Sequence, residues 1–132
     1  MGPLAERWVL PLSSRPAMRE VREWIRRLLA GCVGDEALED VLLVAVELVT
    51  NAEVHTRSPR RLVLSYQDGS VGIEVADGDP TPPELIPPSK SRPGGRGVFL
   101  MNAIAVNWGV RHEGHGKAVW ARLRSTFRES GR

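Results

Sequence analysis

Cysteine is almost missing from this chain of 132 residues, and the single Cys32 excludes an internal disulfide and any metal site built from several thiolates. No apolar run approaches the ~18 residues that a membrane-spanning helix needs. At the N-terminus there is no basic stretch followed by an apolar one, and Met1-Gly2 lacks the downstream Ser or Thr of a myristoylation signal. A strong charge of one sign is lacking too: 18 Lys and Arg stand against 16 Asp and Glu, for a net +2. The basic residues Arg15, Arg19, Arg26, Arg27, Arg57, Arg60 and Arg61 are scattered, so nothing demands a nucleic-acid partner. The expectation is a soluble, cytoplasmic protein with no direct nucleic-acid or membrane partner.

What is present fits one globular unit. Apolar residues make up 42% of the chain and charged residues 26%, ordinary values for a soluble domain. The length suits one domain over residues 1–132, with the core at about 7–123. Arg7 to Leu12 reads as a short strand that Pro11 confines to an edge or an end. Ser13 and Ser14 then offer N-caps, with Pro16 in the first turn, to a helix whose Val21, Trp24, Ile25, Leu28 and Leu29 form one buried stripe ending at Gly31. Asp35 caps a second helix, which Arg57-Ser58-Pro59 breaks. Leu62 to Tyr66 and Val71 to Ala76 are strands joined by the hairpin signal Asp68-Gly69.

From Asp77 to Gly97 the composition changes, with six prolines and four glycines that suit neither helix nor central strand. Val98 to Ala105 reads as a buried helix, Asn107 to His112 and Lys117 to Leu123 as a final hairpin, and 124–132 as a loose tail. Hairpin-connected strands with grouped helices imply an α+β fold, a two-layer sandwich with helices on one sheet face and the other face wet. The βαβ alternation of a doubly wound dinucleotide fold is absent.

Within the second helix, Glu47, Asn51 and His55 recur at steps of four. Each step returns to within about 40° of the last, so the three share one face. Alone, such a stripe is most often just the solvated side of an amphipathic helix. Here it borders the packing side formed by Val41, Leu42, Ala45, Leu48, Val49 and Ala52, where a polar group is part-desolvated and within reach of a ligand over the sheet.

Three further groups have an ordinary reading and a chemical one. Asp77 ends a strand, as turn residues do, and its carboxylate can accept from an exocyclic amine. Gly94-Gly95-Arg96-Gly97 leads into a helix, either as a flexible loop or as backbone amides converging on an anion at a helix N-terminus. Gly114-His115-Gly116-Lys117 is a tight turn, or it brings Lys117 to a phosphate as a point charge.

Taken together and in order, Glu47-Leu-Val-Thr-Asn51-Ala-Glu-Val-His55, Asp77-Gly-Asp-Pro80, Gly94-Gly-Arg-Gly97-Val-Phe-Leu-Met and Asn107-Trp-Gly-Val with Gly116-Lys-Ala-Val-Trp120 resemble the histidine-kinase-like ATPase domains of the GHKL superfamily. The resemblance runs from about Arg7 to Leu123 and is nearest to stand-alone anti-sigma-factor serine kinases, RsbW-like regulators of the actinobacterial type. It implies a Bergerat-type α+β sandwich with a mixed, mostly antiparallel sheet. It further implies ATP and Mg²⁺ as cofactors, with Asn51 holding the metal and Glu47 as general base. Asp77 matches the aspartate that recognises the adenine amine. Gly94, Gly95 and Gly97 match the phosphate-facing loop, with 77–97 as a lid, and Gly116 with Lys117 matches the last box. His55 is expected to support the site, and Arg96 either neutralises phosphate or faces solvent. The implied activity is serine/threonine phosphorylation of a STAS-type anti-sigma-factor antagonist, alternating with sequestration of a sigma factor. Such kinases often pair, so a homodimer belongs to the expectation.

The alternative weighed against it is a non-enzymatic interaction module of the same fold. The detached ATP domain of a two-component sensor kinase is disfavoured, because no helical segment with a phospho-accepting histidine precedes the domain. Two residues depart from the family pattern: Asp79 replaces a glycine or serine, and Lys117 replaces a threonine.

Overall fold

A computed structural model describes residues 5–56, 58–81 and 97–124. Its elements follow in the order β1 (Glu6–Pro11), α1 (Met18–Leu29), α2 (Asp35–His55), β2 (Pro59–Gln67), β3 (Ser70–Asp77), α3 (Gly97–Ile104), β4 (Asn107–Glu113) and β5 (Gly116–Arg124). The five described strands form one sheet in the order β1-β2-β3-β5-β4. The α+β reading holds, and a sheet expected to be mixed and mostly antiparallel is antiparallel at every described pairing.

Two-residue alternation along the strands sorts the sheet into faces. Leu10, Leu62, Val75, Val119 and Val110 form one row across all five strands, and Trp8, Leu64, Ile73, Ala121 and Trp108 form the next. Both rows belong to the hydrophobic core or pack against it, together with Val21, Ile25 and Leu29 of α1, Val41, Leu48 and Val49 of α2, and Met101 of α3. Removing these side chains from water is the main driving force for the fold, at about 1.5–3 kcal/mol for each large aliphatic chain fully buried.

Local geometry follows the residues closely, with small displacements. Asp68 and Gly69 both take positive φ, 52° and 75°, as a two-residue type I′ turn between β2 and β3 requires. α1 starts later than the two serines suggest. The Arg15 amide bonds back to the Leu12 carbonyl at 2.9 Å, Arg15 adopts φ 54°, and the helix is capped at Ala17, whose N–H donates to the Glu20 carboxylate at 3.0 Å. A turn at 12–15 followed by Pro16 uses up the span over which Ser13 or Ser14 would have capped the helix. α2 is capped one residue early, at Gly34, leaving Asp35 in the first turn where its charge still complements the helix dipole.

Connectivity places the important termini at one end of the molecule. α2 runs out at His55 and β2 begins at Pro59, whose register partner is Asp77, the last residue of β3. β5 starts at that end, because Lys117 lies opposite Asp77. β4 begins at the other end, where Asn107 pairs with Arg122, and α3 precedes it by two residues. α3 packs against α2 and against β4.

Candidate functional site

The base of this end is the meeting of β3 and β5. Asp77 continues the inward row of Val71, Ile73 and Val75, and Lys117 the inward row of Val119, Ala121 and Leu123, so both side chains fall on the helix-covered face. Each side chain is only 4% exposed. Burying either charge alone would cost several kcal/mol, and the two offset this by pairing: Lys117 Nζ donates to Asp77 Oδ1 at 3.0 Å. The ammonium donates a second bond to the Asp79 carbonyl at 2.9 Å, and the Asp79 amide donates to Asp77 Oδ1 at 2.8 Å. Lys117 and Asp77 thus fix the course of the chain as it leaves β3.

The bonds continue outward. The Gly78 amide donates to the Ser58 carbonyl at 2.9 Å, tying the exit of β3 to the entry of β2. The Thr81 amide donates to Asp79 Oδ1 at 2.9 Å, and this backbone bond is the leading reason that the Asp79 carboxyl sits below the usual carboxylate pKa. Asp79 therefore stays ionised and is used by its own turn.

Gly116 has a steric role. A Cβ there would strike the Asp77 carbonyl oxygen and come within 2.8 Å of the Gly78 Cα, so only glycine lets β5 start this close to the end of β3. The Lys117 ammonium is held at the strand ends by the Asp77 carboxylate and the Asp79 carbonyl.

α2 carries Glu47, Asn51 and His55. Glu47 is buried, with 7% of its surface exposed. It lines a cleft with Arg22 and Arg26 of α1 and Asp40, Leu43 and Val46 of its own helix. Asn51, one turn on, is half-buried. His55 is the last helical residue, and its side chain lies outside what is described.

Among the described residues there is no cluster of three or more His, Cys, Asp or Glu side chains to hold a metal ion. A lone half-buried amide oxygen still suits Mg²⁺, which takes few protein ligands and keeps water and phosphate oxygens. Gly94, Gly95, Arg96, most of the 77–97 lid and the 125–132 portion of the tail fall outside the described residues. Gly97 is described as the first residue of α3.

The bond network around Asp77 went unforeseen in the sequence. One signal for it was available: alternation along β5 puts Lys117 on the same face as Val119, Ala121 and Leu123, and a lysine on an inward face calls for a buried carboxylate.

The chain matches a family model described as histidine kinase-like ATPase domain over residues 10–123. No curated protein matches it. Among solved structures, it is similar to the RsbU and RsbW domains of Rv1364c from Mycobacterium tuberculosis, with TM-score 0.64 and 18% identity. That superposition covers 92% of this chain and 32% of the other, so this chain spans about a third of that structure's length and the likeness is one of fold.

Proposed function

The chain belongs to the histidine kinase-like ATPase domain family, and on that premise we propose that it binds ATP with Mg²⁺ and phosphorylates a serine or threonine of a STAS-type anti-sigma-factor antagonist, sequestering a sigma factor in the alternate state. The observation that carries the reading is the placement of Asp77: a buried carboxylate held in one orientation, at the end of the sheet where β2 enters shortly after α2 finishes. A fixed acceptor there suits the exocyclic amine of adenine. Gly116 keeps the backbone beside it free of side-chain bulk. The N-terminus of α3, reached through Gly97, turns the positive end of its dipole toward the phosphates, with Gly94, Gly95 and Arg96 ahead of it. Asn51 holds the metal through its amide oxygen. Glu47 accepts the proton of the acceptor hydroxyl as that oxygen bonds to the γ-phosphorus and the bond to the ADP oxygen breaks. When bound, ATP·Mg²⁺ supplies the phosphoryl group and neutralises its charge. His55 supports the site from the end of α2.

The test is calorimetry with ATP, ADP and GTP, with and without Mg²⁺, followed by transfer of labelled phosphate to a cognate antagonist. Adenine nucleotides should bind in preference to GTP, and Asp77→Asn should erase that preference. Lack of nucleotide binding in the presence of Mg²⁺ would sink the proposal. One observation favours a second reading, a non-enzymatic interaction module: Asp77 Oδ1 already accepts from Lys117 and from the Asp79 amide. Glu47→Ala separates the two, since regulation that survives this change intact does not proceed by phosphotransfer.

A further inference from the structure

The sheet face turned away from the helices has two halves. Toward the Asp77 end it is covered by Arg61, Arg111, Glu74 and Glu113, whose charges meet one another. Toward the β2–β3 turn it sinks into a depression of about 610 Å³. Two glycines shape it. A Cβ on Gly109 would come within 2.9 Å of the Trp120 ring, so the absence of one lets the indole lie over β4. Gly72 adds no side chain above β3, and the Ser65 hydroxyl stands where its Cβ would be. The row that crosses the depression reads Arg7, Ser65, Gly72, Arg122 and Asn107, one residue from each strand. Arg7 on β1 and Arg122 on β5 are three strand spacings apart, about 14 Å, with Ser65 and Gly72 between them. Neither arginine forms an ion pair with another described residue. The acids in the lining leave them so: Glu74 Oε2 already accepts from Arg61 and Arg111, and Asp68 is exposed in the hairpin turn. Two cations therefore face each other across a hollow that contains a hydroxyl and an indole.

We propose that this depression binds a phosphate monoester, on the face of the sheet opposite to Asp77. A phosphoryl group carries three strong acceptor oxygens, enough for the forks of Arg7 and Arg122 to approach from opposite sides while the Ser65 hydroxyl donates from beneath. A carboxylate has two oxygens in one plane. One guanidinium fork satisfies it, and the second arginine is left without a partner. The Trp120 ring offers an apolar flank to the organic part of the ester. Arg61 and Arg111 cannot serve in place of the bracketing pair, because their charges are already met by Glu74 and Glu113. The proposal does not depend on ATP binding, which belongs to the helix-covered face.

The test is titration of the full chain with phenyl phosphate, N-acetylphosphoserine methylamide and acetate at constant ionic strength, following the Trp120 indole N–H by NMR in isotope-labelled protein. ADP and Mg²⁺ are present throughout, to fill a nucleotide site on the other face. Both phosphate esters should give a saturating shift with Kd on the order of 1 mM, the scale of a few charge-assisted bonds at an open site. Acetate should bind about 10-fold or more weaker. Arg7→Gln and Arg122→Gln should each weaken the esters about 10-fold, whereas Arg27→Gln on α1 should leave Kd unchanged. All three arginines are exposed, so none of these substitutions removes a core contact. Tighter binding of the phosphoserine derivative supports the site and assigns its ligand to a phosphorylated side chain; tighter binding of phenyl phosphate supports it and assigns the ligand to a free aromatic ester. A shift that does not saturate, acetate binding equal to that of the esters, or a Kd untouched by both arginine substitutions overturns the proposal.

Discussion

Carboxylates meet cations on both faces of the sheet, in different surroundings. On the helix-covered face, Asp77 and Lys117 form one pair with side chains 4% exposed. On the open face, Arg61 and Arg111 share Glu74 and Glu113 in a four-membered network, with exposures between 18% and 49%. Arg61 reaches both oxygens of Glu113, at 3.0 and 2.6 Å, and Arg111 reaches Glu74 at 2.8 Å. The open network has redundancy: Glu74 has two arginines and Glu113 three, Arg60 being the third at 3.9 Å, and water and salt can replace any one of them. The buried pair is a one-to-one match, with the Asp79 backbone as the further partner of each member. Its members are tied to backbone groups that shape the site, so the same chemistry serves position on one face and modest, screened stability on the other.

The sharpest way to break this contrast is Lys117→Met, which strands the Asp77 carboxylate in the interior. We expect a loss of about 3–5 kcal/mol in denaturant unfolding, the usual result of removing one member of a buried pair. A loss below that of a surface substitution would mean that the pair is wetter than its burial indicates. Next is Gly116→Ala, which forces the ends of β3 and β5 apart. A cost of about 2 kcal/mol, typical of overpacking, should appear as a lower unfolding midpoint at unchanged slope.

Arg61→Gln attacks the hub of the open network. Its cost should be about 1 kcal/mol or less, and molar salt should shrink it further, whereas the cost of Lys117→Met should hardly respond to salt. A salt-insensitive Arg61→Gln would erase the distinction between the faces. The smallest effect is a matter of pH. The Glu113 carboxyl titrates below its ordinary value of 4.5, chiefly through the Arg61 hydrogen bond. The stability it adds is present above the unfolded-state value and is lost as pH falls through the lower folded-state value. Acid unfolding of Glu113→Gln should therefore show a shallower stability decline below about pH 4.5 than wild type.

Much of the fold was readable because periodicity is local. The stripe of Val21, Ile25 and Leu29, the alternation of Leu62 and Leu64, and the Asp68-Gly69 turn each state their structure within a few residues. Candidate site residues were readable only as an ordered set, since none of Glu47, Asn51 or Asp77 is informative alone. The partner of Lys117 was hidden because it depends on the register between β3 and β5, set by strand pairing across the sheet and announced by no turn. The cap of α1 moved for a similar reason: the 12–15 turn is fixed partly by the Leu12 amide bonding to the Arg60 carbonyl, far along the chain.

The seam between β3 and β5 also governs how the molecule comes together. β2–β3 and β4–β5 are hairpins whose residues meet through short turns, whereas the pair Asp77 and Lys117 is 40 residues apart in sequence. Joining the hairpins closes a long loop, an entropic cost met before the contacts of the seam repay it, and non-local closures of this kind slow folding. The floor of the site is therefore made in the step that joins the two hairpins. A fluctuation that parts the seam dissolves the floor while both hairpins persist.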